Sequence, residues 1–152
     1  MRRALDTAAP IARACGLPIE VEPELHERRV GALCGTPFQA GEGVWPDTLR
    51  RWLAGDLAYA PDGAESFAAI RARVVPVWER VTGRHAGQTT VIVCHGVVCK
   101  VLILSLAAGF APSDWNRLGP MRNLAIHELV RAKTGWQAVR LNDLPEEVLP
   151  RG

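Results

Sequence analysis

The chain has 152 residues, 48% of them hydrophobic and 22% charged, a balance typical of one folded domain and not of a disordered segment. Its net charge of +2 is too small to predict a nucleic acid as partner. The longest apolar run, residues 97–110, contains a lysine and is too short to span a bilayer, so we predict no membrane partner.

Four cysteines are present, and none of them forms a Cys-x-x-Cys pair. Cys94 and Cys99 flank a predicted strand-to-helix turn, where we expect them to fill the core and not to form a disulfide. This usage predicts a reducing, cytoplasmic compartment. The histidines have no HExxH-like spacing, so we predict no metal and no cofactor.

In the first half of the chain, residues 4–15 have helical character and end at Gly16. Pro10 predicts either a kink or a helix that begins near it. The alternation in 19–22 predicts a short strand. Residues 31–47 are rich in glycine and proline and predict a long loop with at most one helical turn, followed by a short helix over 48–54.

In the second half, Ser66 is predicted to cap a helix that runs to about Thr82, because apolar residues recur there at helical spacing. The largely β-branched run 89–94 predicts a strand buried on both faces. It leads directly into His95-Gly96 and a helix over 97–106. Two late strands, 123–130 and 135–141, are predicted around a turn.

Alternation of helices with a doubly buried strand predicts one α/β domain over 1–152, a three-layer sandwich with a mostly parallel sheet. Ligands of such sheets bind beyond the carboxyl ends of the strands, which indicates His95. Backbone N–H groups and the helix dipole at this point favour an anion, and Gly96 allows a ligand to approach the backbone. The alternative is a histidine that merely ends a strand.

Two further candidates carry charge. Glu27 lies between arginines and a histidine, ahead of a glycine-rich stretch, where a carboxyl group could act as a general acid or base. The alternative is a solvated charged turn. Arg3 precedes the first predicted helix, and an arginine so close to a chain end is ordinarily disordered.

Four segments, taken in order, resemble the histidine phosphatase superfamily, whose fold is that of phosphoglycerate mutase. They are Arg2-Arg3-Ala4-Leu5-Asp6-Thr7-Ala8, Leu25-His26-Glu27-Arg28-Arg29-Val30-Gly31-Ala32-Leu33-Cys34-Gly35, Gly63-Ala64-Glu65-Ser66-Phe67 and Val91-Ile92-Val93-Cys94-His95-Gly96. The second is similar to phosphoglycerate mutases in particular. The third departs from the family's glycine-glutamate-serine element by the inserted Ala64.

The resemblance implies a role for five residues. Glu27 and His95 would be catalytic, Glu27 as the proton donor and His95 as the second histidine of the phosphate pocket. Arg3, Gly96 and Asn123 would bind the substrate, Asn123 because the family often has asparagine before a late strand. The implied reaction passes through a phosphohistidine and uses no cofactor.

One departure from the family is large. Members begin with a strand ending in Arg-His-Gly, whose histidine attacks phosphorus, and this tripeptide does not occur in the sequence. Arg84-His85-Ala86 lies at the wrong position. We therefore expect that the chain is truncated at its N-terminus, so that Met1 is an internal methionine or the gene is incomplete.

The predicted function is that of a phosphomonoester hydrolase or phosphomutase acting on a phosphorylated small molecule, with the nucleophile missing from this chain. Two alternatives stay open. One is a non-catalytic phosphate-binding module. The other is an inactive fragment of the fold, for which an unpaired strand edge predicts aggregation or a homodimer.

Overall fold

A computed structural model describes residues 1–35 and 43–145 of the chain. Within these two ranges the helices are α1 (Arg2–Cys15), α2 (Val44–Leu53), α3 (Phe67–Arg84) and α4 (Gly96–Leu106), and the strands are β1 (Ile126–Ala132) and β2 (Gly135–Asp143). Short 3₁₀ helices occur at Pro23–Leu25, Gly31–Leu33 and Pro112–Asn116. Residues 36–42 of the predicted loop over 31–47 lie outside the described residues.

The core lies between α3 and α4 and includes the side chains of Trp52 and Trp115, against which Trp45 packs. On α3, Phe67, Ile70, Val74 and Val77 are buried at spacings of three and four residues, which places them on one face of the helix. Ser66 caps this helix as predicted, because its hydroxyl accepts the N–H of Ala69 at 3.1 Å.

Helix α4 is apolar on nearly every side and is correspondingly the most buried helix of the described chain. Its one buried lysine, Lys100, donates from Nζ to the carbonyl of Trp115 at 3.1 Å and lies over the same indole ring. Trp115 in turn packs edge-on against Trp52 with ring centroids 5.5 Å apart. This arrangement fixes the helix that begins immediately after His95.

Helix α1 begins at Arg2 and passes through Pro10, so the predicted alternative of a helix that begins near this proline is wrong. Pro10 is exposed, and a proline in a helix interior removes one backbone hydrogen bond. The helix ends as predicted at Gly16, whose φ of 64° places it in the left-handed region. No residue of α1 is buried.

The predicted strand over 19–22 is wrong. This segment is exposed and forms ion pairs along α3 instead, with Glu22 bonded to Arg80 at 2.7 Å and Glu20 to Arg84 at 3.3 Å. Alternation of apolar and acidic residues favours an extended backbone, but a strand also requires a neighbouring strand with which to pair.

Segment 89–94 is likewise not a strand in the described chain, contrary to prediction. It leads into His95 as expected, but no described strand pairs with it, and Val91 is 64% exposed. The β-branched run favours an extended backbone, whereas strand pairing depends on a second segment that the local sequence does not specify.

The sheet of the described residues is the antiparallel pair β1–β2. The predicted late hairpin is therefore confirmed, although β1 begins at Ile126 and leaves Asn123 in the preceding turn. The mostly parallel, three-layer arrangement is not confirmed. Among the described residues, no helix is long and apolar enough to cross a membrane.

Candidate active site

Three side chains from distant parts of the sequence meet at the first turn of α4. Arg3 Nε donates a hydrogen bond to His95 Nδ1 at 3.3 Å, across 92 residues of sequence. Arg3 Nη2 also lies 4.0 Å from Glu27 Oε2. The guanidinium group of Arg3 thus lies between the imidazole of His95 and the carboxylate of Glu27.

His95 is the N-cap residue of α4, and its carbonyl accepts the N–H of Cys99 at 2.8 Å. The residue is only 6% exposed. Burial lowers its pKa, an effect opposed by the negative charge of Glu27 and reinforced by the positive charge of Arg3. The ring is therefore neutral near pH 7. With Nδ1 accepting from Arg3, the proton is assigned to Nε2, which remains available as a donor.

The carboxylate of Glu27 is oriented by its own loop. Oε1 accepts the backbone N–H of Arg28 at 2.9 Å, so that Oε2 is the oxygen directed to Arg3. The carbonyl of Glu27 is bonded to His26 Nδ1 at 2.7 Å. Oε1 is thus held by the backbone, while Oε2 faces the guanidinium group of Arg3, which also bonds His95.

The Glu27 loop is attached to the segment before α3 through Glu65, which forms a mostly buried ion pair with Arg73. Arg73 donates to Glu65 through Nε at 2.7 Å and Nη2 at 3.0 Å, and Glu65 Oε2 also accepts the N–H of Arg29 at 2.8 Å. Burial alone would raise the pKa of Glu65, but these bonds and the charge of Arg73 outweigh it, and the pKa is lowered.

Arg28 is buried between the rings of Trp45 and Trp52, with its guanidinium carbon 4.6 and 4.8 Å from their centroids. Its Nε donates to the carbonyl of Glu65 at 3.0 Å. Burial lowers its pKa to about 10, and the charges of Glu65 and Glu27 oppose this shift. Arg28 therefore links the Glu27 loop to the aromatic core.

Two glycines permit the loop to lie directly against the 62–65 segment. Gly31 has a φ of 52°, and a Cβ on it would overlap the carbonyl oxygen of Asp62. A Cβ on Gly63 would in turn lie 3.4 Å from the α-carbon of Gly31, and the N–H of Ala32 donates to the Asp62 carbonyl at 3.0 Å. Glycine is required at 31 by both its conformation and this close approach.

The sequence did not predict the contacts that Arg28, Glu65 and Arg73 make. The sequence identifies Glu65 only within a family motif, and no pattern connects it with Arg73, eight residues later along α3. The stacking of Arg28 could have been predicted only from the tryptophans that follow it in the sequence, since guanidinium groups stack on indole rings.

The remaining predicted residues differ in position. Gly96 begins α4 beside His95, and a Cβ on it would meet the side chain of Met121 at 3.4 Å. Asn123 is exposed in the turn two residues beyond Met121. Within 1–35 and 43–145, no hydrogen bond joins Asn123 to Arg3, Glu27 or His95. In that part of the molecule Asn142 makes the local side-chain bonds, donating from Nδ2 to the carbonyl of Pro120 at 2.8 Å.

The arrangement is chemically suited to an anion that carries a leaving group. Arg3 supplies a charged fork, His95 a neutral N–H, and the start of α4 backbone N–H groups with no intrahelical partner. Glu27 supplies a carboxyl group beside them. In the described ranges, three or more histidine, cysteine or acidic side chains nowhere gather closely enough to hold a metal ion.

Comparison with known proteins identifies the class. The family model of the histidine phosphatase superfamily (branch 1) matches residues 1–144. The chain belongs to this superfamily. It is 33% identical to a metal-independent phosphoserine phosphatase of Arabidopsis thaliana over 70% of this chain and 45% of the relative. It is 30% identical to a glucosyl-3-phosphoglycerate phosphatase of Mycolicibacterium vanbaalenii over 81% of this chain and 57% of that protein. The chain thus spans about half the length of these relatives.

Solved structures agree on the fold. A mycobacterial glucosyl-3-phosphoglycerate phosphatase in complex with inorganic phosphate superposes with a TM-score of 0.73 and 24% identity, over 93% of this chain and 73% of that one. Bacillus stearothermophilus YhfR gives a TM-score of 0.77 at 24% identity, over 94% and 70%. The fold is therefore the α/β fold of the phosphoglycerate mutase-like phosphatases.

Proposed function

We propose that the protein to which this chain belongs is a phosphomonoester hydrolase that acts through a phosphohistidine. This chain contributes the phosphate pocket and the proton donor. The observation that supports the proposal is the position of Arg3, which bonds His95 and faces Glu27 although the three residues come from separate segments. An arginine with a purely structural role would not be expected to contact both His95 and Glu27.

Each side chain has one task. Arg3 and the Nε2–H of His95 bind the equatorial oxygens of the phosphoryl group and stabilise the charge that grows there in the transition state. The N–H groups at the start of α4 add to this, with Gly96 and Asn123 lining the substrate. Glu27, in its acid form, protonates the departing alkoxide oxygen.

The nucleophile is the part that this sequence does not supply. His85 lies at the C-terminal end of α3 and bonds Gln88 at 3.1 Å, and no histidine of the sequence follows an arginine and precedes a glycine. We propose that the attacking histidine is encoded ahead of Met1, in line with relatives of which this chain covers only about half the length. Losing it should remove nearly all turnover, because such residues act as a unit.

A strand partner for segment 89–94, like the nucleophile, is not supplied by the described residues. We propose that segment 89–94 is a strand of a three-layer, mostly parallel sheet in the longer protein, which forms one domain with 1–152. The exposed Val91 supports this, because a β-branched residue at such a position favours pairing. Hydrogen exchange tests it: amides 90–93 should exchange rapidly in this chain and slowly in the longer protein.

For the substrate we propose a phosphorylated metabolite. The names of the relatives favour hydrolysis over mutase chemistry, since both are phosphatases of small phosphorylated molecules. The free cysteines support a reducing cytoplasm. A homodimer formed through the unpaired segment 89–94 is the proposed assembly of the isolated chain.

A second candidate function is a phosphate-binding module without turnover, which the absence of Arg-His-Gly from the sequence favours. It shares the pocket but needs no nucleophile. The third alternative, a fragment without function, predicts no pocket at all and is separated from both by a binding measurement.

The first experiment titrates this chain with inorganic phosphate and compares Arg3→Ala with Arg2→Ala. Arg2 is the neighbouring arginine, and it pairs with Asp6 on α1 rather than with the site. We expect Arg3→Ala and His95→Asn to weaken binding about tenfold or more, since each removes a charge-assisted or oriented hydrogen bond, while Arg2→Ala changes it less than twofold. Equal losses in both arginine variants would contradict the assigned pocket.

The second experiment separates the enzyme from the module. The upstream in-frame codons are restored, and p-nitrophenyl phosphate hydrolysis is measured with and without alanine at the recovered Arg-His-Gly histidine. Turnover should need that histidine and should fall about 100-fold or more in Glu27→Gln. Upstream DNA filled with stop codons favours the binding module, and turnover by this chain alone overturns the placement of the nucleophile.

A further inference from the structure

Two thiols lie on either side of His95. Cys94 precedes the histidine and Cys99 lies in α4, and their Sγ atoms are 3.3 Å apart. Both are free thiols and both are partly exposed. Sequence reasoning assigned them to core packing, and Cys94 does contact the core, but a thiol–thiol contact is not needed to fill space.

The main chain holds the two sulfurs near each other. His95 lies between them, and its carbonyl accepts the N–H of Cys99 at 2.8 Å, which fixes the end of the extended segment against the first turn of α4. A disulfide requires the sulfurs to approach from 3.3 Å to about 2.05 Å.

The two thiols are also chemically unequal. The hydrogen bond from Cys99 lowers the pKa of Cys94 against the effect of burial, and the backbone N–H of His95 adds to this. The same hydrogen bond, together with burial, raises the pKa of Cys99. The Cys94 thiol therefore loses its proton more readily than the Cys99 thiol.

We propose that Cys94 and Cys99 are a reversible oxidation site at the base of the phosphate pocket, which hydrogen peroxide converts to a disulfide. The Cys94 thiolate attacks one peroxide oxygen, the O–O bond breaks, and hydroxide leaves and becomes water by taking up a proton. The Cys99 sulfur then attacks the Cys94 sulfenic sulfur, and the hydroxyl leaves as a second water with the Cys99 proton. Two thiols are oxidised and one peroxide is reduced.

The sequence makes the product simple to identify. Cleavage after Arg84 and Lys100 releases residues 85–100 as one tryptic peptide that contains both cysteines, whereas Cys15 and Cys34 fall in separate peptides. An internal disulfide leaves this peptide two hydrogens lighter and resistant to alkylation. Any bond to Cys15 or Cys34, or to a second molecule, joins two peptides instead.

The experiment reduces the wild-type chain, removes the reductant, adds equimolar hydrogen peroxide, and maps the alkylated tryptic peptides. We expect most of the 85–100 peptide to carry the disulfide while the Cys15 and Cys34 peptides remain alkylated. Dithiothreitol should restore two alkylation sites. Full alkylation of 85–100 after peroxide, or faster oxidation of the exposed Cys15 or Cys34, overturns the proposal.

Single variants test the order of the steps. Cys99→Ser should stop at a sulfenic acid on Cys94 that dimedone traps, and Cys94→Ser should leave Cys99 at least tenfold slower to react. The reverse pattern refutes the assignment of Cys94 as the attacking thiol. The double variant Cys15→Ser/Cys34→Ser is the matched control and should oxidise like the wild type. The peptide map does not depend on phosphate binding, so it tests the oxidation site independently of the proposed phosphatase activity.

Discussion

The two sides of the site are supported in different ways. Glu27 lies on a loop that Glu65 and Arg73 hold through a buried ion pair and that Arg28 connects to the tryptophans. Arg3 lies on a helix with no buried residue, and its side chain is 65% exposed. His95 lies between these extremes, because its helix is buried while the segment before it pairs with no described strand.

The two sides of the site therefore differ in how firmly the rest of the chain holds them in place. The Glu27 side is held by contacts within the chain, so variants there should lower stability before they change chemistry. The Arg3 side depends on one hydrogen bond at 3.3 Å and one ion pair at 4.0 Å, so variants there should change ligand binding and leave stability almost unaltered. The predictions below test this division.

The largest effect is expected from Glu65→Gln. The side chains of Glu65 and Arg73 are 12% and 10% exposed, so removing one charge leaves the other buried and poorly paired. We expect the free energy of unfolding, measured by urea titration, to fall by about 3 kcal/mol.

The matched control is Glu22→Gln. Glu22 makes the same two-bond contact with Arg80, at 2.7 and 2.9 Å, but these side chains are 21% and 47% exposed. Its loss should cost much less stability than the loss of Glu65, because solvent screens the exposed pair. Equal costs for the two variants would show that burial of the Glu65 pair does not support the loop.

The stability lost in Glu65→Gln should also depend on pH. The pKa of Glu65 is lowered in the folded chain, so its stabilisation is complete above the unfolded-state pKa near 4.5 and is lost as the pH falls through the folded value. The stability difference between wild type and Glu65→Gln should therefore shrink below pH 4.5. A difference that stays constant down to unfolding would contradict an ionic origin.

Gly31→Ala should be the next most damaging change. A β-carbon there would overlap the Asp62 carbonyl oxygen, in a left-handed conformation that alanine also disfavours. We expect a loss of more than about 2 kcal/mol in thermal or urea unfolding. Gly16→Ala, with a φ of 64° and open space around it, should lose only about 1 kcal/mol, and equal losses would mean that the approach to Asp62 is unimportant.

A smaller effect should appear in the pH dependence of anion binding. The pKa of His95 is lowered in the free protein, and a bound anion favours its protonated form and raises that pKa again. Sulfate, whose charge is constant over this range, should bind several-fold more tightly as the pH falls from about 8 to about 5.5.

Calorimetric titration at each pH measures this, with variants that distinguish the nearby titrating groups. His95→Asn should flatten the profile, whereas His26→Asn should preserve it, although both histidines lie near Glu27. A slope that survives His95→Asn would assign the proton to the chain's N-terminal amine or to His26.

The smallest effect is predicted for stability in Arg3→Ala. The side chain is mostly exposed and its contacts are long, so the free energy of unfolding should change by less than about 0.5 kcal/mol. A loss above 1 kcal/mol would make Arg3 a structural anchor and would weaken its assignment to the phosphate pocket.

Local patterns predicted several elements correctly. The apolar spacing from Phe67 to Val77 and the Ser66 hydroxyl defined α3 and its first residue, because both signals operate within a few residues. The glycine at 16 ended α1 for the same reason. The strands over 19–22 and 89–94 failed because pairing is a property of two segments and cannot be read from one.

By itself, the sequence determined that this is a histidine phosphatase superfamily chain with a histidine immediately before an apolar helix, since motif order and helix periodicity depend on neighbouring residues. Only the tertiary structure decided which charges meet. Arg3 reaches His95, Glu65 holds the Glu27 loop, and Cys94 contacts Cys99, because folding brings these groups within a few ångströms and hydrogen bonds depend on distance and not on sequence separation.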